Sequence, residues 1–219
     1  MCNILFKQVK KGDEMKKIIT LFSLDKESYQ DIQVEVDVIQ DVSNKIEEIA
    51  QEKELLAIKK AVVKARKAKC GEIVDTRPRV MVNGRVYTFS ETKHIVTQLE
   101  ENNGAMIVVN PHGEEYIINT FEKFYSRYEK TDNGYLAIEG VKKFRKSKGN
   151  YVINTSWGEE QIVLKDSYFC VQNSQDIYGI TNIAFELTYE TEPKHVELIS
   201  KKIQNIKNKR ELQNNIQTL

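Results

Sequence analysis

Asn83-Gly84 lies between two runs that favour extended backbone, RVMV before it and RVYTF after it. A two-residue link between such runs closes as a type I′ turn, because both of its positions need positive φ and Asn-Gly tolerates that. An antiparallel hairpin is therefore expected over 79–89. A lone hairpin is marginal in water, so the fold must supply a sheet or a helix for it to join.

The alternation a sheet needs is present upstream. From Met15, KKIITLFSL and DIQVEVDVI flank the polar break DKESYQ, and Ile32, Val34, Val36 and Val38 alternate with polar residues, which predicts a hairpin with one buried face. Asn44 with Glu47 predicts a capping box, after which Ile46, Ile49, Ala50, Leu55, Ile58, Ala61, Val62 and Ala65 recur at helical spacing. A helix over 44–69 ended by Gly71 is the expectation, with AIKKAVVKA as a strand the alternative. Ser90 is expected to cap a second helix through Glu101, with Ile95, Val96 and Leu99 on its buried side and Asn103-Gly104 ending it. After Pro193 a helix is expected to about Ile216, with Val196, Ile199, Ile203 and Ile206 in a seam at coiled-coil spacing and Arg210 and Gln213 weakening it. Two heptads are too few to stand alone, so the seam docks on its own domain or makes a homo-oligomer.

Between these elements the chain repeats a pattern. AMIVVN-PHGEE-YIIN followed by FEKFYSRYEKT matches YVINTS-WGEE-QIVL followed, after an insertion, by FELTYET. The inserted KDSYFCVQNSQDIYGI predicts one more hairpin around 173–176. The fold class is thus α+β: an N-terminal β-hairpin plus helix unit, then tandem small β-rich modules with short helices, then a C-terminal helix. The expected boundaries are a leader 1–14, an N-terminal unit 15–76, a first module 77–131, a second 132–192 and the helix 193–219. Lys11-Gly12-Asp13-Glu14 can be encoded with AAGGAG, a bacterial ribosome-binding sequence. Met15 is therefore expected to be the start, with 1–14 disordered or untranslated.

Composition narrows function mainly by exclusion. Lys plus Arg number 33 against 32 Asp plus Glu, so the chain is neither a polycationic nucleic-acid coat nor an acidic tail. Its mean hydropathy is -0.51, and no apolar run approaches the roughly 20 residues that span a bilayer; no membrane partner is expected. Cys2, Cys70 and Cys170 stand far apart in no metal or disulfide pattern, which suits a reducing cytoplasm. Motifs for a Ser nucleophile elbow, a P-loop, a dinucleotide fold or a zinc protease are missing, and His94, His112 and His195 stand alone. No cofactor, metal or catalytic residue is assigned.

Binding residues are easier to nominate. Ten acids and three bases lie between Asp25 and Glu54, whereas Lys59 to Arg85 holds nine cations against Glu72 and Asp75, and Lys142, Lys143, Arg145, Lys146 and Lys148 cluster again. Such segments can follow a phosphate backbone, or their cations can pair with the acidic stretch. Arg77, Arg79 and Arg85 suit phosphate by their forked geometry, and Lys142 and Arg145 extend the set. In the two Gly-Glu-Glu turns, His112, Trp157 and Glu159 are candidates. The indole either stacks on a ligand or folds over the core. Glu114, Glu115, Glu159 and Glu160 offer paired carboxylates, although neighbours on a strand face opposite ways. Ala137-Ile138-Glu139 followed by Lys142 is similar to the strand-borne Glu-x-Lys of some nucleases, one residue too long.

The segment GYLAIEGVKKFRKSKGNYVINTSWGEEQIVLKDSYFCV...DIYGITNIAFELTYE resembles short β-rich modules of phage- and prophage-encoded proteins of unknown function. The likeness covers about 135–190, with a fainter echo at 105–130; where such modules have a Gly-Asp-Tyr turn this chain has Lys165-Asp166-Ser167-Tyr168. The resemblance implies a phage accessory protein, of host-interaction or anti-defence type, in the bacterial host cytoplasm. A non-catalytic protein that binds a host protein or a small signalling nucleotide is the first expectation. A nucleic-acid-binding protein using 59–85 and 142–148 is the second, and a carboxylate-dependent hydrolase the third.

Overall fold

A computed structural model describes residues 7–11, 14–156, 158–173 and 175–217, and the fold is α+β. It divides into two compact units, neither continuous in sequence. The first draws on residues up to 55, 76–93 and 143–186, the second on 56–75, 94–142 and 187–219. The chain thus passes repeatedly from one unit to the other, whereas the sequence pattern suggested consecutive modules.

In chain order the strands and helices begin with β1 (Lys7–Lys11), β2 (Glu14–Ser23) and β3 (Ile32–Ile39). The expected hairpin is β2 with β3, where Ile19 pairs with Val34 and Lys16 with Asp37. Residues 7–11 of the leader pair with β2 as well; residues 1–6, 12 and 13 lie outside the described residues. Helix α1 (Val42–Ile49) is capped by Asp41, whose side chain accepts from the Asn44 N–H, so the cap lies three residues before the expected one.

The helix stops after two turns. Instead of continuing to 69, the chain forms β4 (Ala50–Lys59) and β5 (Val62–Lys67). Ala and Leu favour a helix locally, but β5 is paired on both sides by distant strands, and such pairing overrides a propensity of a few tenths of a kcal/mol per residue. Next come β6 (Ile73–Val74), β7 (Arg79–Val82), β8 (Arg85–Thr88) and β9 (His94–Ile95). The Asn-Gly turn is as read: Asn83 and Gly84 have φ of 51° and 76°, and Val82 pairs with Arg85. The second helix is only α2 (Gln98–Asn102), capped by Thr97 with Glu100 in a capping box. Ser90 cannot start it, because His94 and Ile95 are pulled into a pairing with β6. Of its expected buried residues Val96 is buried, while Ile95 and Leu99 are exposed.

The remaining elements are β10 (Met106–Val109), β11 (Glu115–Ile118), α3 (Phe121–Arg127), β12 (Tyr128–Thr131), β13 (Gly134–Ala137), β14 (Lys142–Ser147), β15 (Tyr151–Asn154), β16 (Glu160–Val163), β17 (Tyr168–Asn173), β18 (Asp176–Ile180), α4 (Asn182–Thr188), β19 (Tyr189–Glu190) and α5 (Pro193–Gln217). The first unit holds a sheet in the order β16-β15-β3-β2-β8-β7, and a second series β18-β17-β14-β4. The second unit holds β11-β10-β5-β13-β12, and there β19 pairs with the end of β4.

The two Gly-Glu-Glu turns have one geometry. Asn110 N–H donates to the Glu114 carbonyl at 2.9 Å and Gly113 N–H to the Asn110 carbonyl at 2.9 Å; Thr155 and Gly158 repeat both bonds at 2.9 and 3.0 Å. Gly113 and Gly158 have φ of 84° and 85°, which is the left-handed region that glycine reaches without strain. The helices that follow also correspond. Thr120 and Thr181 accept from the N–H three residues on, Phe124 and Phe185 are buried one turn later, and Tyr128 and Tyr189 are buried where each helix gives way to a strand.

Helix α5 docks through its seam: Val196 and Ile203, with Ile199 and Ile206 beside them, pack on Ile58 and Ile138 in the second unit. The seam is therefore taken up within the chain. Docking does not fade at Arg210, as its polarity suggested. Its Nη1 donates to the Tyr125 carbonyl at 2.6 Å, Nη2 to the Tyr128 carbonyl at 2.7 Å and Nε to Glu129 at 2.9 Å. Arg210→Ala is expected to lower stability by about 1–2 kcal/mol, after allowance for solvent screening at a partly exposed site. Hydrogen exchange should then speed up in the last turns of α5 while 196–206 stays protected; uniform exchange along the helix would contradict this docking.

Candidate functional site

A cleft opens in the first unit, where β3 and β15 run parallel. Tyr151 lies beside Asp37 and Ile153 beside Ile39. At the carboxyl end of β3 the chain turns through Gln40 and Asp41 into α1, leaving a cleft of about 630 Å³. Its lining includes the apolar Val38, Ile39 and Ile49 and the aromatic Tyr151. Gly149 permits the placement of that ring, since a Cβ there would come within 2.8 Å of the Tyr151 hydroxyl. Burial, then Asp37 and Glu48, hold the Tyr151 phenol above the usual tyrosine range.

Charge in the cleft is mixed. Asp37, Asp41 and Glu48 line it together with Lys45 and Lys148, and Lys16 pairs with Asp37 at 3.6 Å, so acids and bases are balanced. Lys45 is tied to Glu48 at 2.6 Å, and the Lys148 ammonium donates to the Glu47 and Glu48 carbonyls at 3.2 and 3.0 Å. That contact suits the negative end of the α1 dipole. A pocket of this size holds a small organic ligand. The Tyr151 ring offers an aromatic surface, and the carboxylates can accept from amine or amide groups. The cleft has no surplus of cations to hold a polyphosphate.

The nominated binding residues fall on both units. Arg77, Arg79, Arg85, Arg145 and Glu159 belong to the first, and His112 and Lys142 to the second. Arg77 and Arg79 are half-buried. Arg85 lies over the Tyr29 ring at 4.1 Å, so its guanidinium is stacked within its own unit. The His112 side chain is buried, with its Nε2 3.1 Å from Glu114. Glu159 is exposed, and Trp157 lies outside the described residues, as does the choice between its two roles. Glu115 holds Arg66 and the Asp75 N–H at 2.9 and 3.0 Å, and Glu160 holds Lys17 at 2.9 Å.

Most cations of the 142–148 run, and some of those in 59–85, are paired with acids within the chain. Lys142, Lys143, Arg145 and Lys146 meet Glu139, Glu54, Glu47 and Asp166, at 2.8, 3.3, 2.5 and 2.9 Å. In 59–85, Lys60 meets Glu190 and Arg66 bridges Glu72 and Glu115. This is the pairing of basic with acidic stretches that the charge pattern allowed, and it includes Glu47 and Glu54 of the acidic segment.

A second cluster of ionisable groups lies in the second unit. The Lys59 and Lys142 ammonium groups converge on one Glu139 oxygen at 3.5 and 2.8 Å. Burial holds Lys59 below the usual lysine range; Glu139 opposes that shift and Lys142 adds to it. Burial works against the charged form of Glu139, yet Lys59 and Lys142 outweigh it and keep the carboxyl below its ordinary range. Close by, the Tyr116 and Tyr128 hydroxyls are hydrogen-bonded to one another, and burial raises both phenols. The nuclease-like spacing at Glu139 and Lys142 thus marks a real ion pair. Lys59 could not be assigned to it from sequence, since it comes from a strand that reads as helix.

No family model, curated protein or solved structure matches this chain. Among the described residues no helix is long and apolar enough to cross a membrane, and no group of three His, Cys, Asp or Glu side chains is placed to hold a metal ion.

Proposed function

We propose that this chain is a phage-type accessory protein that acts in the host cytoplasm by binding, without turnover, a small host-made nucleoside or nucleotide of low charge. The observation that carries the reading is the cleft beside Tyr151, with its apolar and aromatic lining and its balanced charges. Pairing of the 142–148 cations within the chain favours this over a nucleic-acid surface. The matched turns and matched Thr-x-x-x-Phe-x-x-x-Tyr helices support reading 105–130 and 151–190 as copies of one module.

Calorimetric titration with adenosine, guanosine, their cyclic monophosphates and ATP tests the assignment. Stacking on an aromatic ring contributes about 1–3 kcal/mol, so Tyr151→Ala should weaken binding of the low-charge ligands by about tenfold or more. ATP should bind least well. Tightest binding by ATP, no binding by any of the series, or indifference to Tyr151→Ala would refute the site.

A further inference from the structure

We propose that Lys59 is a nucleophilic amine that captures aldehyde-class carbonyl compounds as an imine. This is independent of the cleft beside Tyr151. The argument starts from an imbalance: two ammonium groups, Lys59 and Lys142, share one oxygen of Glu139. Lys142 lies nearer, at 2.8 Å against 3.5 Å, so the carboxylate is chiefly committed to it. Arg127 adds a further positive charge from α3, and Tyr189, Lys59's cross-strand neighbour on β19, and the Tyr116 and Tyr128 pair bring only neutral phenols. The surroundings therefore favour loss of a proton from one amine, and Lys59 is the one with the weaker hold on the anion.

Access is the second requirement. The side chains of Lys59, Glu139 and Lys142 are 22%, 25% and 22% exposed, and the Glu139 oxygen that the two ammonium groups share is buried, so the cluster is mostly dehydrated while part of the Lys59 side chain reaches solvent. An amine desolvated next to a second cation is one of the known ways to activate lysine as a nucleophile. In the step proposed, the Lys59 nitrogen lone pair adds to the carbonyl carbon and forms a C–N bond. The two protons lost from nitrogen leave with the carbonyl oxygen as water, and the C=N bond remains. No oxidation or reduction occurs.

The full chain is treated at pH 7 with propanal and sodium cyanoborohydride, which traps the imine, and modified lysines are located by peptide mass spectrometry. Lys59 is expected to react several-fold faster than the exposed Lys194 and Lys201. Lys142→Met, by removing the neighbouring cation, should slow Lys59 several-fold. Glu139→Gln, by removing the anion, should speed it. Unfolding in urea should abolish the preference. If Lys59 in the folded chain reacts no faster than Lys194 and Lys201, or keeps its lead in urea, the proposal fails. Followed over pH 6–11 in the unsubstituted chain, the rate for Lys59 should level off at lower pH than those of the exposed lysines, which would support the proposal even where a variant does not fold; a profile that levels off together with theirs would overturn it.

Discussion

Gly134→Ala is expected to destabilise the second unit by about 3 kcal/mol or more. Gly134 has φ of +144°, and a Cβ there would stand 2.4 Å from the Val63 carbonyl oxygen and 3.0 Å from Val62 Cγ1. The obstacle is backbone, and it cannot retreat. Strand β5 is held on one side by β13, through Tyr135 opposite Val63 and Leu136 opposite Val62. On the other side β10 holds it, through Val108 opposite Ala65 and Ile107 opposite Arg66. The substitution adds conformational strain of order 1–3 kcal/mol to a collision that only a break in this sheet relieves. Gly84→Ala is the control: its φ is also positive, at +76°, but nothing lies within 4 Å, so about 1 kcal/mol is expected. Urea unfolding followed by circular dichroism compares the two. Equal costs would mean that β13 does not pack on β5 as described.

What could be read from sequence follows from how local each determinant is. Asn83-Gly84 specifies its hairpin through its own φ values, and the alternation at 32–38 specifies a buried face, so both were legible. The helix expected over 44–69 was not. Its first two turns form, but β4 and β5 are strands because their partners arrive from β10, β13, β14 and β19, which lie far along the chain. The candidate site was missed for the same reason. Tyr151 meets Asp37 only through the parallel pairing of β15 with β3, and no spacing in the sequence signals that. The seam of α5 was legible as apolar, but the part played by Arg210 required carbonyl acceptors at Tyr125 and Tyr128 that only the fold brings together. Similarly, the cations of 142–148 look like a phosphate-binding run until the acids of α1 and β4 are placed beside them.

Arg145→Met decides between those two readings of the basic run. Arg145 is 7% exposed, its Nε donating to the Gln51 carbonyl at 2.7 Å and its Nη1 pairing with Glu47. Removing it leaves a backbone acceptor without its partner and breaks a charge-assisted contact, for which about 2–4 kcal/mol is expected. Glu47 carries the other end of the pair in water, with its side chain 79% exposed, so Glu47→Gln should leave stability nearly unchanged. The pair also has an acid signature. The hydrogen bond from Arg145 depresses the Glu47 carboxyl below its ordinary value, so whatever it contributes is present above the unfolded-state value and is lost as pH falls through the folded one. If Arg145 is structural, urea unfolding will show the large asymmetry between the two substitutions, and duplex DNA binding measured over a salt series will have the same slope in the stable Glu47→Gln variant as in the parent chain. If instead Arg145→Met leaves stability intact but lowers the affinity for duplex DNA and flattens its salt dependence, the guanidinium serves a phosphate and the binding surface lies on the basic segments.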